Sequence, residues 1–457
     1  MDYWLFPLEV DLLIILLITL LSIITPNWFL LIIAIPFVII LSYENILPFA
    51  LSINGADIYF YDIMLIVIFY KIIMEKLSKN QEVIIYELYK AILYFISSLL
   101  VAIMIAYYNF GEKLFIPEII SYLRLLSQIL VLFLTTESLK TAEDISIGSK
   151  SIDCIGYIIA GLIYLNIGLF RMGITIGEVQ NSAQIVRYFG LIGDSTGFLL
   201  LFFIIRQILF KNIIGIVYFV GALFATGTRG CVVALLISLL LIAMYNYETI
   251  LNKRTLLISI FTLLLSMFIF YFTDLGGMRT RFIETALWDS GSKQRLLTMK
   301  LGVQIFADNP VVGVGYTGFR FIAEKYEAEG KFRMGKGDFT KNYTATVSNQ
   351  FLQVAADGGL LALFSFLWLM RIALLTLKSA KDHACADQKE FFEAGYLWLL
   401  TLLIGAQTAC WMLPSSLISY LLWVILGSAL ASIKSAIPAP SRGLRQFPRI
   451  IYQMKST

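Results

Sequence analysis

SGSKQRLLTMKLGVQIFADNPVVGVG (Ser290–Gly315) and VSNQFLQVAADGGLLA (Val347–Ala362) belong to the one long polar segment, Asp274 to Asn349, of an otherwise apolar chain. A loop of that length with amphipathic and glycine-rich parts is more often functional than a spacer. The fold is decided by what flanks it. The 457 residues are 59% hydrophobic and 14% charged, with a mean hydropathy of +0.82. No water-soluble domain of this length tolerates that balance at its surface. Apolar runs approaching the roughly 20 residues that cross a bilayer recur along the chain, so helices are the spanning elements. The period-two alternation of a barrel is not evident.

The expectation is an all-α polytopic membrane protein of 12–13 transmembrane helices with one large external loop containing short helices. Spans are expected near 10–25, 27–42, 56–74, 88–108, 116–137, 152–170, 188–209, 212–227, 229–246, 254–273, 351–376, 391–410 and 413–433. The chain divides into helices over 1–273, the loop over 274–350, C-terminal helices over 351–433 and a basic tail over 434–457. The first apolar run follows Asp2, Glu9 and Asp11 instead of a basic region and is read as retained.

Charge placement orients the bundle. Lys434, Arg442, Arg445, Arg449 and Lys455 put the tail in the cytoplasm by the positive-inside rule. Counting helices backward puts the loops holding Lys378/Lys381/Lys389, Lys253/Arg254, Arg206/Lys211, Lys140/Lys150 and Lys76/Lys79 on the same side. Arg187, Arg229 and the 274–350 loop then fall on the opposite face, where topology signals do not explain basic residues. The overall charge of +4 carries less information than this distribution.

Cys154, Cys231, Cys385 and Cys410 stand singly, without metal or redox spacing, and read as core fillers. The single histidine, His383, lies in a lysine-containing cytoplasmic loop, so a Ser-His triad or a His-based metal site is poorly supported. The external carboxylates form no DxD pair, and neither a metal nor a cofactor is expected.

Three motifs lie on the external side. RYFGLIGDSTGF (Arg187–Phe198) is expected to open a helix, with Arg187 either snorkelling from its end or paired with Asp194. ATGTRGCVVALL (Ala225–Leu236) turns sharply through Gly227 and Gly230 and leaves Arg229 at a helix start, where the helix dipole and guanidinium both favour an anion. A tight turn whose arginine meets lipid phosphate is an equal alternative. In SGSKQRLLTMKLGVQIF (Ser290–Phe306), Leu297, Leu301 and Ile305 recur four apart, which predicts an amphipathic helix with Ser292 as N-cap and Lys293 and Arg295 in its first turn. Cations there oppose the helix dipole unless an anion is near. DNPVVGVGYTGF (Asp308–Phe319) follows as a turn whose glycines suggest close packing; its GxG pair, Gly313 and Gly315, is weak evidence of phosphate binding.

Arg295 followed by a short helix, DNPVVGVG, a variable stretch and SNQFLQVAADGGLLA resembles the C-terminal core of the O-antigen ligase and O-antigen polymerase superfamily. RYFGLIGDSTGF and TGTRGCVVALL are similar to that family's arginine-bearing helix starts, and the resemblance covers roughly Arg187 to Leu377. It implies a membrane glycosyltransferase of the GT-C type in the inner membrane. Such an enzyme uses polyprenyl-pyrophosphate-linked oligosaccharides as donor and acceptor, with the large loop on the periplasmic side. The pyrophosphate-holding role maps onto Arg229, Arg295 and Arg187. Lys293, Gly313, Gly315, Tyr316, Ser348 and Asn349 are the further substrate-binding candidates. Ligases of the family place His before the Asn of the closing motif; here Ser348 precedes Asn349, which favours the polymerase branch over transfer to lipid A core. A chain-length regulator is a possible partner, and nucleic acid is not.

The donor's pyrophosphate is already a good leaving group, so charge stabilisation by guanidiniums is what the enzyme must supply. Among possible bases, Asp194 ranks ahead of Glu178, Asp308 and Asp338; Tyr316, Phe319, Tyr326 and Tyr343 are candidates for stacking on sugar or for loop packing. A flippase would instead carry charges at the helix midplane, whereas these spans read as nearly charge-free.

Overall fold

The computed structural model describes residues 19, 22–36, 38, 39, 51–53, 56–58, 60–79, 87–172, 178–182, 185–190, 196–245, 290–328, 347–406 and 417–436. In chain order these form α1 (Asn27–Phe29, running into a π-turn at Leu30–Ala34), β1 (Leu51–Ile53), β2 (Ala56–Ile58), α2 (Phe60–Lys79), α3 (Glu87–Phe110), α4 (Glu112–Ser138) and α5 (Ala142–Arg171). Next come β3 (Glu178–Ser182), β4 (Ile185–Gly190), α6 (Thr196–Leu209), α7 (Ile213–Ala225) and α8 (Arg229–Tyr245). The loop contributes α9 (Ser290–Asp308) and α10 (Phe319–Ala328), and α11 (Gln350–His383), α12 (Ala386–Gly405) and α13 (Leu417–Ala436) complete the bundle.

Among the described residues five helices are long and apolar enough to cross a membrane: Glu87–Asn109, Glu118–Ser138, Ala142–Phe170, Gln350–His383 and Leu417–Ala436. Thr196–Leu209, Ile213–Ala225 and Gly230–Ile242 are shorter and equally apolar. The architecture is helical and multi-pass, as expected. The expected span 254–273 and most of 10–25 lie outside the described residues.

Local chemistry sets several ends. α5 starts at a reciprocal cap in which Asp144 N–H donates to Thr141 Oγ1 (3.1 Å) and Thr141 N–H to Asp144 Oδ2 (2.9 Å). Both residues lie ahead of the expected start at 152, so the helix gains nearly three turns. α7 is capped by Asn212, whose Oδ1 accepts from Gly215 N–H (3.2 Å). α6 differs most from expectation. Residues 188–190, assigned to the start of a span, belong instead to β4 of an antiparallel hairpin that sets Arg187 opposite Gln180. Ile185, Val186, Tyr188 and Phe189 favour a pleated backbone, which explains the outcome.

α13 is the hub. It is buried along nearly its whole length and packs on α4, α11 and α12. Its approach to α4 is close enough that a Cβ on Gly427 would lie 2.7 Å from Leu132 O, and Thr136 Oγ1 donates to Gly427 O (3.2 Å). Trp398 of α12 donates from Nε1 to Phe198 O of α6 (2.8 Å), and Ser238 and Thr401 hydroxyls join α8 to α12 at 2.7 Å.

One end of the bundle is laced by charge. Lys140 pairs with Glu75 (2.6 Å), Lys434 with Glu137 (3.0 Å) and Lys381 with Glu393 (3.2 Å), and Gln388 Nε2 donates to Ala142 O (2.6 Å). Lys140, Lys381 and Lys434, three of the basic groups that sequence alone assigns to a single face, therefore meet at a single end, while Lys253, Arg254 and the tail from Arg442 lie outside the described residues. Arg206 is a correction to the loop reading, since it lies in the last turn of α6, 1% exposed, ion-paired to Asp153 and between the rings of Phe210 and Phe391. The spans are thus not nearly charge-free.

Removing one partner of a buried pair leaves the other charge uncompensated. Arg206→Ala is expected to destabilise the detergent-purified protein by about 3–5 kcal/mol, read as a lower melting temperature. The double change Asp153→Leu/Arg206→Met is expected to recover most of that loss.

Candidate functional site

The end opposite the charge lacing is built around a break in α11. Gly359 has φ +65° and ψ −163°, interrupting the helix about two turns and a half after its start. A break in a helix strands backbone groups, and the turn between α9 and α10 takes them up. Val314 N–H donates to Ala356 O (3.0 Å) and Gly315 N–H to Asp357 O (2.8 Å), while Leu360 N–H donates to Pro310 O (2.8 Å) and Leu361 N–H to Val311 O (3.3 Å). Turn and helix cross backbone to backbone. A Cβ on Gly313 would stand 2.4 Å from the Asp357 carbonyl carbon, and one on Gly359 would stand 2.3 Å from that of Val311. Gly313 also has φ +66°, so two physical requirements select glycine there.

Asp357 fastens the same junction through its side chain. Its carboxylate accepts from Thr317 N–H (3.1 Å), from Phe319 N–H at the start of α10 (3.2 Å) and from Gln353 Nε2 (2.8 Å). Gln353 in turn accepts from Val347 N–H (2.7 Å), tying the approach to α11 into the network. Glu118 of α4 is fully buried beneath Gly315 and Gly318. Sequence reasoning passed over Glu118, Gln353 and Asp357; the legible signal was a lone acid inside each of two apolar helices, FIPEIISY and QVAADGGLLA.

A series of contacts connects this junction to the arginine-bearing helix starts. Thr298 Oγ1 of α9 donates to Val347 O (3.2 Å), and Gly302 packs on Val347 and Leu352. Gln350 N–H, at the start of α11, donates to Ala406 O just past α12 (2.8 Å). Gly405 packs against Phe198 of α6, and Gly197 against Cys231 of α8. Arg229 is the first residue of α8, and Arg295 lies one turn before Thr298 on the exposed side of α9. The strand bearing Arg187 packs against α5, α6 and α7. The three arginine-bearing elements therefore share one end of the bundle.

The remaining expectations fare unevenly. α9 forms with Leu301 and Ile305 buried, but it begins at Ser290, so Ser292 lies inside the helix instead of capping it and Lys293 and Arg295 fall later than expected. Asn349 is the N-cap of α11, its Oδ1 accepting from Leu352 N–H (3.0 Å), and Ser348 beside it holds φ +58°. Gly313 and Gly315, expected to bind substrate, are occupied in packing against α11 and Glu118. Tyr316 is turned into the junction; burial, with the Asp357 carboxylate nearby, holds its phenol well above the ordinary value, so the hydroxyl is neutral. Phe319 and Tyr326 fill a small core with Leu301, Ile305, Val314 and Val347, and Tyr326 donates to Asp308 Oδ2 (2.6 Å), engaging one proposed base. Glu178 lies on β3. Asp194, Asp338 and Tyr343 lie outside the described residues.

One end of a multi-pass helical bundle thus carries Arg229 at a helix start, Arg187 on a hairpin and Arg295 on an amphipathic helix beside a glycine turn. A family model described as O-antigen ligase matches residues 214–367, from α7 into α11, and it is to that family that this part of the chain is similar. The match includes Arg229, Arg295 and both backbone segments that cross at the glycine junction, but not Glu118. No curated protein matches the chain.

The packing of the junction makes a specific demand. Gly313→Ala and Gly359→Ala are each expected to lower stability by about 1–3 kcal/mol or more, from left-handed backbone strain plus the clash with the facing chain. Gly168→Ala in α5, where a Cβ meets open space, is expected to be neutral in the same melting assay.

Proposed function

We propose that the protein polymerises polyprenyl-pyrophosphate-linked oligosaccharide repeat units by inverting, metal-independent glycosyl transfer on the outer face of the inner membrane. The observation that carries this reading is the series of contacts that gathers the starts of α6, α8 and α11 and the amphipathic α9 at one end, with Arg229 and Arg295 among them.

In this reading the guanidiniums of Arg229 and Arg295, assisted by Arg187 and Lys293, hold the donor's pyrophosphate. A hydroxyl of the acceptor repeat attacks the anomeric carbon from the face opposite the leaving group. The carbon–oxygen bond to pyrophosphate breaks, its electron pair leaves with the phosphate oxygen, and the acceptor's proton passes to a base, for which Asp194 is the first choice. Planar guanidiniums present paired N–H donors to the oxygens on which charge accumulates, so they stabilise the transition state more than the ground state. Ser348 and Asn349 would face the acceptor from the cap of α11. Gly313, Gly315 and Tyr316 contribute by holding α9 against α11.

Transfer to lipid A core is the second reading within the class, and Ser348 in place of the ligase histidine counts against it. A flippase is disfavoured by the position of the buried charges. Arg206 lies in the last turn of α6 and Asp357 sits against the turn before α10; neither marks a mid-bundle pathway.

Arg295→Lys and Arg229→Lys keep the charge and lose the fork. Each is expected to cut in vitro turnover of a purified lipid-linked repeat unit by about 10²–10³-fold while the protein still inserts. Wild-type rates in both variants would sink the assignment. Cells lacking the protein are expected to show surface-polysaccharide ladders collapsed to a single repeat; long chains retained on the lipid carrier would point to the ligase.

A further inference from the structure

α9 has two apolar faces, and the packing of the loop uses one of them. Leu301 and Ile305 are buried in the small core that the loop builds with Val314, Phe319 and Val347. Leu296, Lys300, Val303 and Ala307, recurring at helical spacing, line the opposite face and are exposed. Val303 is 55% exposed, and Val311 in the turn that follows is 58% exposed. The backbone joins this strip to a membrane-spanning helix. Leu360 N–H donates to Pro310 O and Leu361 N–H to Val311 O. The strip thus runs on into Leu360, Leu361 and Phe364, the exposed side of α11 where it enters the apolar run LLALFSFLWLM (Leu360–Met370).

The depth of the strip follows from α4. Glu137, paired with Lys434, and Glu118, packed against Gly315 and Gly318, are 19 positions apart, about 28 Å along a helix. A bilayer's hydrocarbon core is roughly 30 Å thick, so an ion pair at one boundary sets the glycine turn at the other. Phe351 and Phe366 give the direction. An unbroken helix would hold these two positions about 22 Å apart, yet their ring centroids are 6.1 Å apart. The segment before Gly359 therefore folds across the end of the bundle instead of continuing away from the membrane. α9 runs beside that segment, held by Thr298 on Val347, by Gly302 against Leu352 and, through the turn, by Val314 on Ala356.

Exposed aliphatic side chains at that depth, continuous with the lipid-facing side of a spanning helix, match one occupant. We propose that the strip of Leu296, Val303, Ala307 and Val311 is seated among the phospholipids of the leaflet at that end of the bundle, at the boundary between acyl chains and headgroups. An amphipathic helix binds there with its apolar face buried about 5–10 Å into the boundary and its cations toward phosphate. Lys300, in the middle of the strip, suits that setting, because a lysine lays its methylenes along apolar surface while its ammonium reaches headgroup oxygens. Among the described residues it pairs with no carboxylate. Tyr107 and Tyr108, exposed at the same end of α3, are residues of the kind that membrane interfaces collect. The inference does not rest on the proposed transfer reaction. It adds that Arg295, beside Leu296, is held at the level of lipid phosphates.

The test is site-directed spin labelling of the full-length protein in phospholipid nanodiscs, in a background whose cysteines, Cys154, Cys231, Cys385 and Cys410, are replaced by alanine. Labels at Val303→Cys and Val311→Cys are compared with Phe364→Cys on the lipid face of α11 and Asp382→Cys at its charged end. At both strip positions collision with oxygen is expected to exceed collision with a water-soluble nickel chelate several-fold, as at Phe364→Cys and in contrast to Asp382→Cys. Nickel-favoured collision overturns the proposal by placing the strip in water. Low collision with both reagents overturns it as well, by showing the strip covered by protein, whether another segment of the chain or a second copy. Wild type supplies a second readout if the cysteine-free background does not fold: a phospholipid with a photoreactive diazirine at the top of its acyl chain is expected to leave adducts on peptides of Leu296–Val311 as well as on α11. Adducts on α11 with none in Leu296–Val311 overturn the proposal. Neither readout involves glycosyl transfer, so failure here leaves the proposed function standing, and an inactive Arg295→Lys variant with the same collision profile leaves this inference standing.

Discussion

The passage of the 308–319 turn through the break in α11 is the constraint on which the external half of the molecule depends. A helix interrupted at the edge of a membrane must satisfy the backbone groups it exposes, and irregular backbone is tolerated at such a depth only where protein covers it. Here the cover is another backbone. Four main-chain hydrogen bonds link the two segments, and glycine at 313 and 359 lets them approach to a distance that any side chain would prevent. Because α9 leads into this turn and α10 leads out of it, both loop helices take their positions from the break. The exposed face of α9, with Arg295, is thereby presented beside the start of α11.

The two ends of the bundle use charge in different ways. At one end, acids and bases from α2, α4, α5, α6, α11, α12 and α13 are paired with each other, so that helix ends are stapled. At the other, the carboxylates of Glu118 and Asp357 are drawn into packing while Arg295 stays exposed. Separating acids from bases in this way leaves cationic groups available to a ligand, and it costs stability wherever a carboxylate is buried without a counter-charge. The stability comes from apolar burial around α13 and from the glycine crossing.

Legibility in the sequence followed the length scale of the signal. Hydropathy over some twenty residues located the helices well, and the four-residue spacing of Leu297, Leu301 and Ile305 located α9, because both patterns average over many residues. Helix starts were read less well. Thr141 and Asp144 cap α5 by hydrogen bonds that hydropathy does not register, and Arg187–Gly190 read as the entry to a membrane helix although the β-branched and aromatic residues of Ile185–Gly190 suit the hairpin they form. The acidic pair was hidden for another reason. Glu118 and Asp357 are 239 positions apart in a chain whose long-range contacts cannot be inferred from one sequence, and each alone looks like a stray polar residue in an apolar run. Tyr316 illustrates the same limit, since an aromatic in a glycine turn suggests sugar stacking until the fold shows its ring turned inward.

The position that separates the two readings within the superfamily has a telling conformation. Ser348 adopts φ +58°, between Val347, held by Gln353, and Asn349, which caps α11. A left-handed residue in that setting is fixed by its neighbours, so the direction of its side chain is set by the backbone and not by its own chemistry. Non-glycine residues seldom take this conformation, and histidine is among those that take it more readily. The histidine that ligases place before the Asn would therefore suit the same backbone at least as well as serine does. Serine at 348 is then not explained by the fold, and the proposed polymerase reading needs no weakly basic ring where this side chain points. A transfer in which the acceptor's proton is taken elsewhere, or in which proximity of two lipid-linked chains does most of the work, is consistent with that choice.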